Sequence, residues 1–288
     1  MRSFGRNCPK FDSLTRSFFD LDPDLELETW ESKCVEFPRI RRGSVALSER
    51  VFFSHLRTLA DPEVFEIGGN IGRHTKLFLQ ENIQRLHTFE PNIELFHNFS
   101  DLVGREDFVF NPFGLSSSNG IKQFNIVTSV EGLPAGTTHG MGSFENVGPK
   151  YEDIYGETRT RIITVAHFRA DTYLQEVNVP KSSPLVVWLD VEGHALEVLR
   201  GFGDQLGRVE SVIVELETDT RYISGPNADA IIELCAQYEL APVWRDIQYY
   251  GRFNVLFARK PLDAIIGQSE FGEVERFIKN VQVFSQGQ

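Results

Sequence analysis

The chain has 288 residues, is 41% hydrophobic and 24% charged, and carries a formal charge of -12 with no long Lys/Arg run, which disfavours a nucleic-acid partner. Its three cysteines (Cys8, Cys34 and Cys235) are widely spaced with no CxxC pair, which argues against zinc ribbons and dithiol redox motifs and points to thiols in a reducing, cytoplasmic setting. No apolar run approaches the roughly 18 residues of a membrane span, and no apolar signal-peptide stretch follows the basic N-terminus.

Residues 1 to about 45 mix aromatics, acids and prolines without a clear period, and Pro9, Pro23 and Pro38 argue against one long helix. Residues 1–60 are therefore expected to form an N-terminal extension or helical cap, with helix setting in at SERVFFSHLRTLA and ending at Asp61-Pro62. Strands and helices then alternate. Strands are predicted at 64–67, 85–89, 107–111, 184–190, 210–217 and 252–259, with added strands at 122–127 and 161–165. Helices are predicted at 71–81, 92–103, 166–177, 194–202 and 228–238. PLVVWLD (184–190) is apolar throughout, as a central parallel strand covered on both faces would be. This order predicts an α/β fold with a doubly wound, mostly parallel sheet and an antiparallel strand near the C-terminus, spanning 61–262. The glycine-rich stretch 129–160 breaks the rhythm and reads as a lid or substrate loop; residues 263–288 read as a helical tail.

VFEIGGNIG (64–72) runs a strand into a glycine turn, and FEP (89–91) closes the next strand with an acid. Gly68, Gly69 and Gly72 let the backbone approach a ligand, and the Glu90 carboxylate can accept from both hydroxyls of a ribose. NAD and S-adenosylmethionine fit this pattern equally. Glu66, a carboxylate on a strand that faces the core, either braces the turn or meets the ligand; Asn70 offers an amide to the same crevice, and Thr75 either joins the cofactor site or bonds backbone in its helix.

In WLDVEGHALEVLRGF, Asp190 ends a buried strand where ligands gather in parallel sheets, and Glu192 and His194 follow. Two acids and an imidazole at one crevice suggest proton handling or cation binding. Glu215 and Glu217, at the end of the next strand, point to the same rim as candidates for substrate contact, and His139 in the lid can reach a substrate. No HxxxH or HExxH spacing occurs, so no metal is assigned, although a divalent ion held by Asp190 and a second acid is an alternative. The GxSxG elbow and the GxxxxGK[ST] loop are both missing, which removes the α/β-hydrolase and P-loop readings.

VFEIGGNIGRHT, TFEPNIELF, GMGSFE and LDVEGHALEVLRGF, in this order and followed by IVELE, resemble the FkbM-type methyltransferases, a branch of the class I S-adenosylmethionine-dependent enzymes. The resemblance covers roughly residues 60 to 220. It implies S-adenosyl-L-methionine as cofactor and methyl transfer, usually to oxygen, with a sugar, glycan or secondary-metabolite hydroxyl as acceptor. It further implies that Glu66, Gly68, Asn70 and Glu90 line the cofactor site, that Asn111 and the turn near Ser116 and Ser117 approach the adenine, and that Asp190 lies between cofactor and acceptor. Ser143 falls in the lid motif and is taken, with Glu192 and Glu215, as substrate-binding. Glu66 replaces the family's usual aspartate and Gly69 its usual alanine. Asp190 is the first candidate for the general base, His194 the second and His139 the third. An NAD-dependent oxidoreductase and a non-catalytic nucleoside-binding module are the rival readings; the incomplete glycine fingerprint and the DVEG strand weigh against the first, the acids at both crevice edges against the second. A homo-oligomer is left open.

Overall fold

The computed structural model describes residues 11–131, 133–134, 138–218, 221–224, 227–249 and 251–286. Gly132 and Gly136 of the expected lid, and Cys8 and Pro9, lie outside these residues.

Three helices come first: α1 (Phe11–Phe19), α2 (Leu27–Glu36) and α3 (Pro38–Arg57). The expected extension or helical cap had helix marked only from Ser48, so α1, α2 and the first ten residues of α3 were not located in advance. Pro38 does not break a helix; it begins one, occupying a first-turn position of α3 where its missing N–H leaves no bond unmade. Phe37 closes α2 and opens α3.

The main sheet then builds from β1 (Glu63–Ile67), β2 (Arg85–Phe89) and β3 (Phe108–Asn111), with α4 (Arg73–Phe78) between the first two. A short β4 (Gly114–Leu115) joins the long pair β5 (Gly120–Val130) and β6 (Thr158–Phe168) in a separate three-stranded sheet, with α5 (Pro149–Tyr155) inside the expected lid. After α6 (Ala170–Glu176) the main sheet resumes with β7 (Leu185–Leu189), α7 (Ala195–Phe202), β8 (Val209–Glu217), α8 (Ala228–Gln237), β9 (Ala241–Arg245) and β10 (Arg252–Ala258). The chain ends in α9 (Leu262–Ile265) and α10 (Gln268–Gln286).

The main sheet runs β3-β2-β1-β7-β8-β10-β9 and is parallel from β3 to β8; β10 pairs antiparallel with both β8 and β9. The predicted doubly wound, mostly parallel sheet with an antiparallel strand near the C-terminus is therefore present. β9 was not anticipated. It is a five-residue edge strand that carries Pro242, which edges tolerate because one row of donors is not needed there.

Alternation along β1 explains both apolar layers. Phe65 and Ile67 face α6, α7 and α8, while Val64 faces α3, α4 and α10; Val187 and Val186 divide likewise on β7. A further cluster of Phe19, Trp30, Cys34, Ile40, Ile247 and Val281 ties the N-terminal helices to α10, and Trp30 Nε1 donates to Ser285 Oγ at 2.7 Å.

Two predicted helices come out shorter. The 92–103 stretch holds only a 3-10 turn over Ile93–Asn98. His97 Nδ1 lies 2.8 Å from the Glu94 carbonyl oxygen, Asn98 Nδ2 donates to that of Leu95 and Ser100 Oγ to that of His97, so side chains compete with the helical ladder. The 166–177 helix starts only at Ala170, because Ala166 and His167 pair with Ile121 and Gly120 at the end of β6.

The register positions the site. Ile67 pairs with Phe89 on one side and with Leu189 on the other. The residues that follow these three, Gly68, Glu90 and Asp190, therefore leave the sheet at the same level. They do so where the strand order reverses between β1 and β7, the switch point at which open parallel sheets bind ligands.

Candidate active site

Gly68 adopts φ +95°, and a Cβ there would lie 1.8 Å from the Asp190 carbonyl oxygen. The turn and the DVEG strand end thus touch backbone to backbone, which only glycine permits. Gly68→Ala is expected to destabilise the fold by at least about 2 kcal/mol, since left-handed strain and overlap add. Thermal melts with and without S-adenosylmethionine measure this, and a variant with unchanged melting and unchanged ligand-induced shift would refute the close approach.

Glu90 sits beside this turn, 6% exposed. Its Oε2 accepts the Asn70 N–H and its Oε1 the Asn92 N–H, both at 2.8 Å. Burial outweighs these two bonds and pushes its carboxyl up to about 7. Asn70 takes a left-handed φ of +50°, which asparagine tolerates, and its Oδ1 lies 2.8 Å from His139 Nδ1 on the lid.

These groups line a crevice with apolar walls from Phe89, Leu115, Phe124 and Phe144 and polar edges from Glu90, Asn92 and Asp190. The donor set fits a nucleoside: a buried carboxylate for vicinal hydroxyls, apolar faces for a base, and Gly68, Gly114, Gly140 and Gly142 where a backbone must lie close.

A second crevice adjoins the first and shares Gly140, Asp190 and Glu192 with it. Its walls come from α3, the start of α4, the lid and the β9–β10 connection. Solvent reaches the Asp190 carboxylate, but the side chain lies deep between these walls; enclosure, then the charge of Glu192, hold its carboxyl above the ordinary aspartate range.

Compared with known proteins, residues 66–280 match the family described as the methyltransferase FkbM domain. The chain belongs to the FkbM methyltransferase family. Hexuronic acid methyltransferase AglP of Haloferax volcanii is 30% identical over 158 residues, which are 54% of this chain and 56% of AglP, so the match spans just over half of that relative. Among solved structures, an rRNA methylase from Streptococcus thermophilus aligns with TM-score 0.39 at 12% identity, over 75% of this chain and 95% of its own. Magnesium protoporphyrin IX methyltransferase from Synechocystis PCC 6803 aligns with TM-score 0.39 at 10% identity, over 85% and 89%. Both are too distant to pass on a residue role.

In this FkbM domain Gly68, Asn70, Glu90, His139, Asp190, Glu192 and His194 all line the first crevice. Glu66 and Thr75 do not. Glu66 is 1% exposed and lies under the turn, where its Oε2 accepts the hydroxyls of Thr75 at 2.5 Å and Thr88 at 2.7 Å; its carboxyl is pushed up to about 7 by burial. Gly69 packs on Thr88 and Phe99, and Gly72 packs on Phe99. Asn111 is buried and its Nδ2 donates to the Thr88 carbonyl at 3.2 Å.

His194, 1% exposed, has both nitrogens engaged: Nδ1 lies 2.7 Å from Glu145 Oε1 and Nε2 3.0 Å from Ser116 Oγ. It ties the lid to the DVEG turn. Ser143 Oγ donates to the Glu192 carbonyl at 2.5 Å, fastening the lid a second time. Glu192 holds φ +50° because Arg252 donates to its Oε1 at 2.7 Å and Tyr222 to its Oε2 at 2.6 Å. Glu215 lies in the second crevice, 2.6 Å from Arg252 Nε. Asp190, Glu192 and Glu215 each offer an oxygen within 4.8 Å of the others, a spacing a cation can bridge; the Arg252 guanidinium already neutralises part of that charge.

Sequence reasoning passed over Arg252, Tyr222 and Glu49, which shape the second crevice. Arg252 left one signal, a cation opening a mostly apolar strand, RFNVLFA. The others carry none, because they reach the site only by packing. Among the described residues no helix is long and apolar enough to cross a membrane.

Proposed function

We propose that this chain is an S-adenosylmethionine-dependent O-methyltransferase acting on a hydroxyl of a sugar, glycan or related small molecule. The observation that carries the reading is Asp190, whose side chain borders both crevices at their junction. When bound, S-adenosylmethionine supplies a methyl group whose bond to sulfur breaks with the electron pair staying on sulfur. Glu90 accepts from the ribose hydroxyls, and Gly68 and Asn70 carry the turn that lies against the cofactor. Phe124 and Phe144 exclude water from it. Asp190 takes the acceptor's hydroxyl proton, its raised affinity for protons bringing it nearer the working pH. His139 closes the lid over Asn70, and His194 braces the lid rather than serving as base. Glu192, Glu215 and Ser143 shape the acceptor side. Glu66 and Thr75 act through the turn, not on the ligand.

The hexuronic acid relative supports a sugar acceptor. Residues 61–262 form the transfer domain in this reading. Of residues 1–60, the described 11–60 form a cap that contributes α3 to the acceptor crevice, and of 263–288 the described 263–286 form a tail packed on that cap. Buried thiol Cys34 supports a cytoplasmic setting. Calorimetry with S-adenosylmethionine against NAD, then S-adenosylhomocysteine formation from sugar acceptors, tests the proposal; NAD binding without S-adenosylmethionine binding would refute it.

A further inference from the structure

We propose that the second crevice anchors a sugar acceptor through a protonated amine at the corner formed by Asp190 and Glu215, and turns away acceptors that carry a carboxylate. This inference rests on the methyl-transfer reading above and narrows its substrate class. Five carboxylates line the crevice, those of Glu49, Asp190, Glu192, Glu215 and Asp246, against the two guanidiniums of Arg73 and Arg252. Both guanidiniums are already paired: Arg73 with Glu49 at 2.7 Å, and Arg252 with Glu192 at 2.7 Å and Glu215 at 2.6 Å. The Asp246 oxygens take the backbone and side-chain N–H groups of Asn254, and both Glu192 oxygens are engaged by Arg252 and Tyr222.

Two acceptors remain at the corner. The Asp190 carboxylate borders the crevice with no side-chain hydrogen bond among the described residues. Oε2 of Glu215, a residue only 6% exposed, is buried with no partner among the described residues. A buried carboxylate oxygen without a donor is costly, so the corner is built for something that brings donors. An ammonium group brings three N–H donors and a positive charge. A uronate brings neither, and would set a sixth carboxylate among five with both guanidiniums committed. The exposed ring of Tyr249 and the half-buried ring of Tyr155 stand on the same crevice, faces on which a pyranose can lie. With the amine held at Glu215 and Asp190, a neighbouring hydroxyl is the group presented for transfer. In this the chain parts from its relative named for hexuronic acid.

The test uses the full chain with the methyl glycosides of glucosamine, glucose and glucuronic acid. Each is measured by S-adenosylhomocysteine formation in EDTA at pH 7, and by calorimetric binding to protein loaded with S-adenosylhomocysteine. The glucosaminide is expected to exceed the glucoside about tenfold in affinity and in kcat/KM, a difference of about 1.4 kcal/mol, with the glucuronide weakest; Glu215→Gln is expected to bring the three together. The wild-type series decides the matter even where that variant fails to fold. Glucuronide binding as tight as glucosaminide overturns the inference and leaves the methyl-transfer reading standing. So does a methyl group found on the amine nitrogen, or a preference that appears only with added magnesium, which would make the corner a cation site. Turnover of none of the three by protein that still binds S-adenosylmethionine overturns the sugar reading and this inference with it.

Discussion

Asp190→Asn is expected to lower kcat about 10²–10⁴-fold, the usual contribution of a positioned general base, while cofactor affinity changes only a few-fold. Asparagine keeps the shape and the backbone contact to Gly68 but cannot take a proton. The wild-type rate is expected to climb with pH as Asp190 loses its proton. Because enclosure and Glu192 hold that carboxyl above the ordinary aspartate range, the limb lies higher than for a surface aspartate. In the variant the limb disappears. Steady-state kinetics across pH, with cofactor binding measured separately, check both points. Full turnover by Asp190→Asn would remove it as the base and leave His139 as the next candidate, since both nitrogens of His194 face protein partners.

Glu90→Ala is expected to weaken S-adenosylmethionine binding by at least about 100-fold. Two hydrogen bonds to a charged group, at about 1.5–3 kcal/mol each, are lost together. The Asn70 and Asn92 N–H groups also lose their acceptor, so the glycine turn loosens. Glu90→Gln separates charge from shape. The ionised carboxylate accepts from two hydroxyls at once, whereas its protonated form spends one oxygen on its own hydrogen. With the Glu90 carboxyl near 7, affinity is expected to rise as pH passes through about 7 in the wild type and to stay flat in Glu90→Gln. Calorimetry at pH 5.5 and 8.5 decides this, and a pH trend kept in full by the glutamine variant would assign the titration elsewhere.

Stability moves in the opposite sense. An unfolded glutamate releases its proton near 4.5, while folded Glu66 and Glu90 hold theirs to about 7. Between those values the folded chain binds more protons than the unfolded one. Their contribution is therefore fully present below about pH 4.5 and is lost as pH rises through about 7. Urea unfolding at pH 5 and pH 8 should show a smaller loss with pH for Glu90→Gln than for the wild type.

The sequence alone determined the alternation of strands and helices, the parallel sheet, the crevice at the strand ends and the family. Each of these is written locally: an apolar run long enough to pair on both sides, a glycine turn at its end, an acid closing the next strand. Gly68, Glu90 and Asp190 were legible because each immediately follows a strand, and strand ends at one level share one crevice. Tertiary structure decided what long-range contact controls. Glu66 reads as a ligand residue until Thr75 and Thr88 are seen to enclose it. His194 is a base candidate in the sequence, which gives no hint of Glu145 and Ser116, 49 and 78 positions away in the chain, that face its two nitrogens. The second crevice was hidden altogether, since α3, the lid and β10 come from three distant parts of the chain and only packing brings Glu49, Asp190 and Arg252 around one space. Periodicity reports which face of an element is buried; it carries no record of which side chain from another element fills the bonds of a buried acid or imidazole.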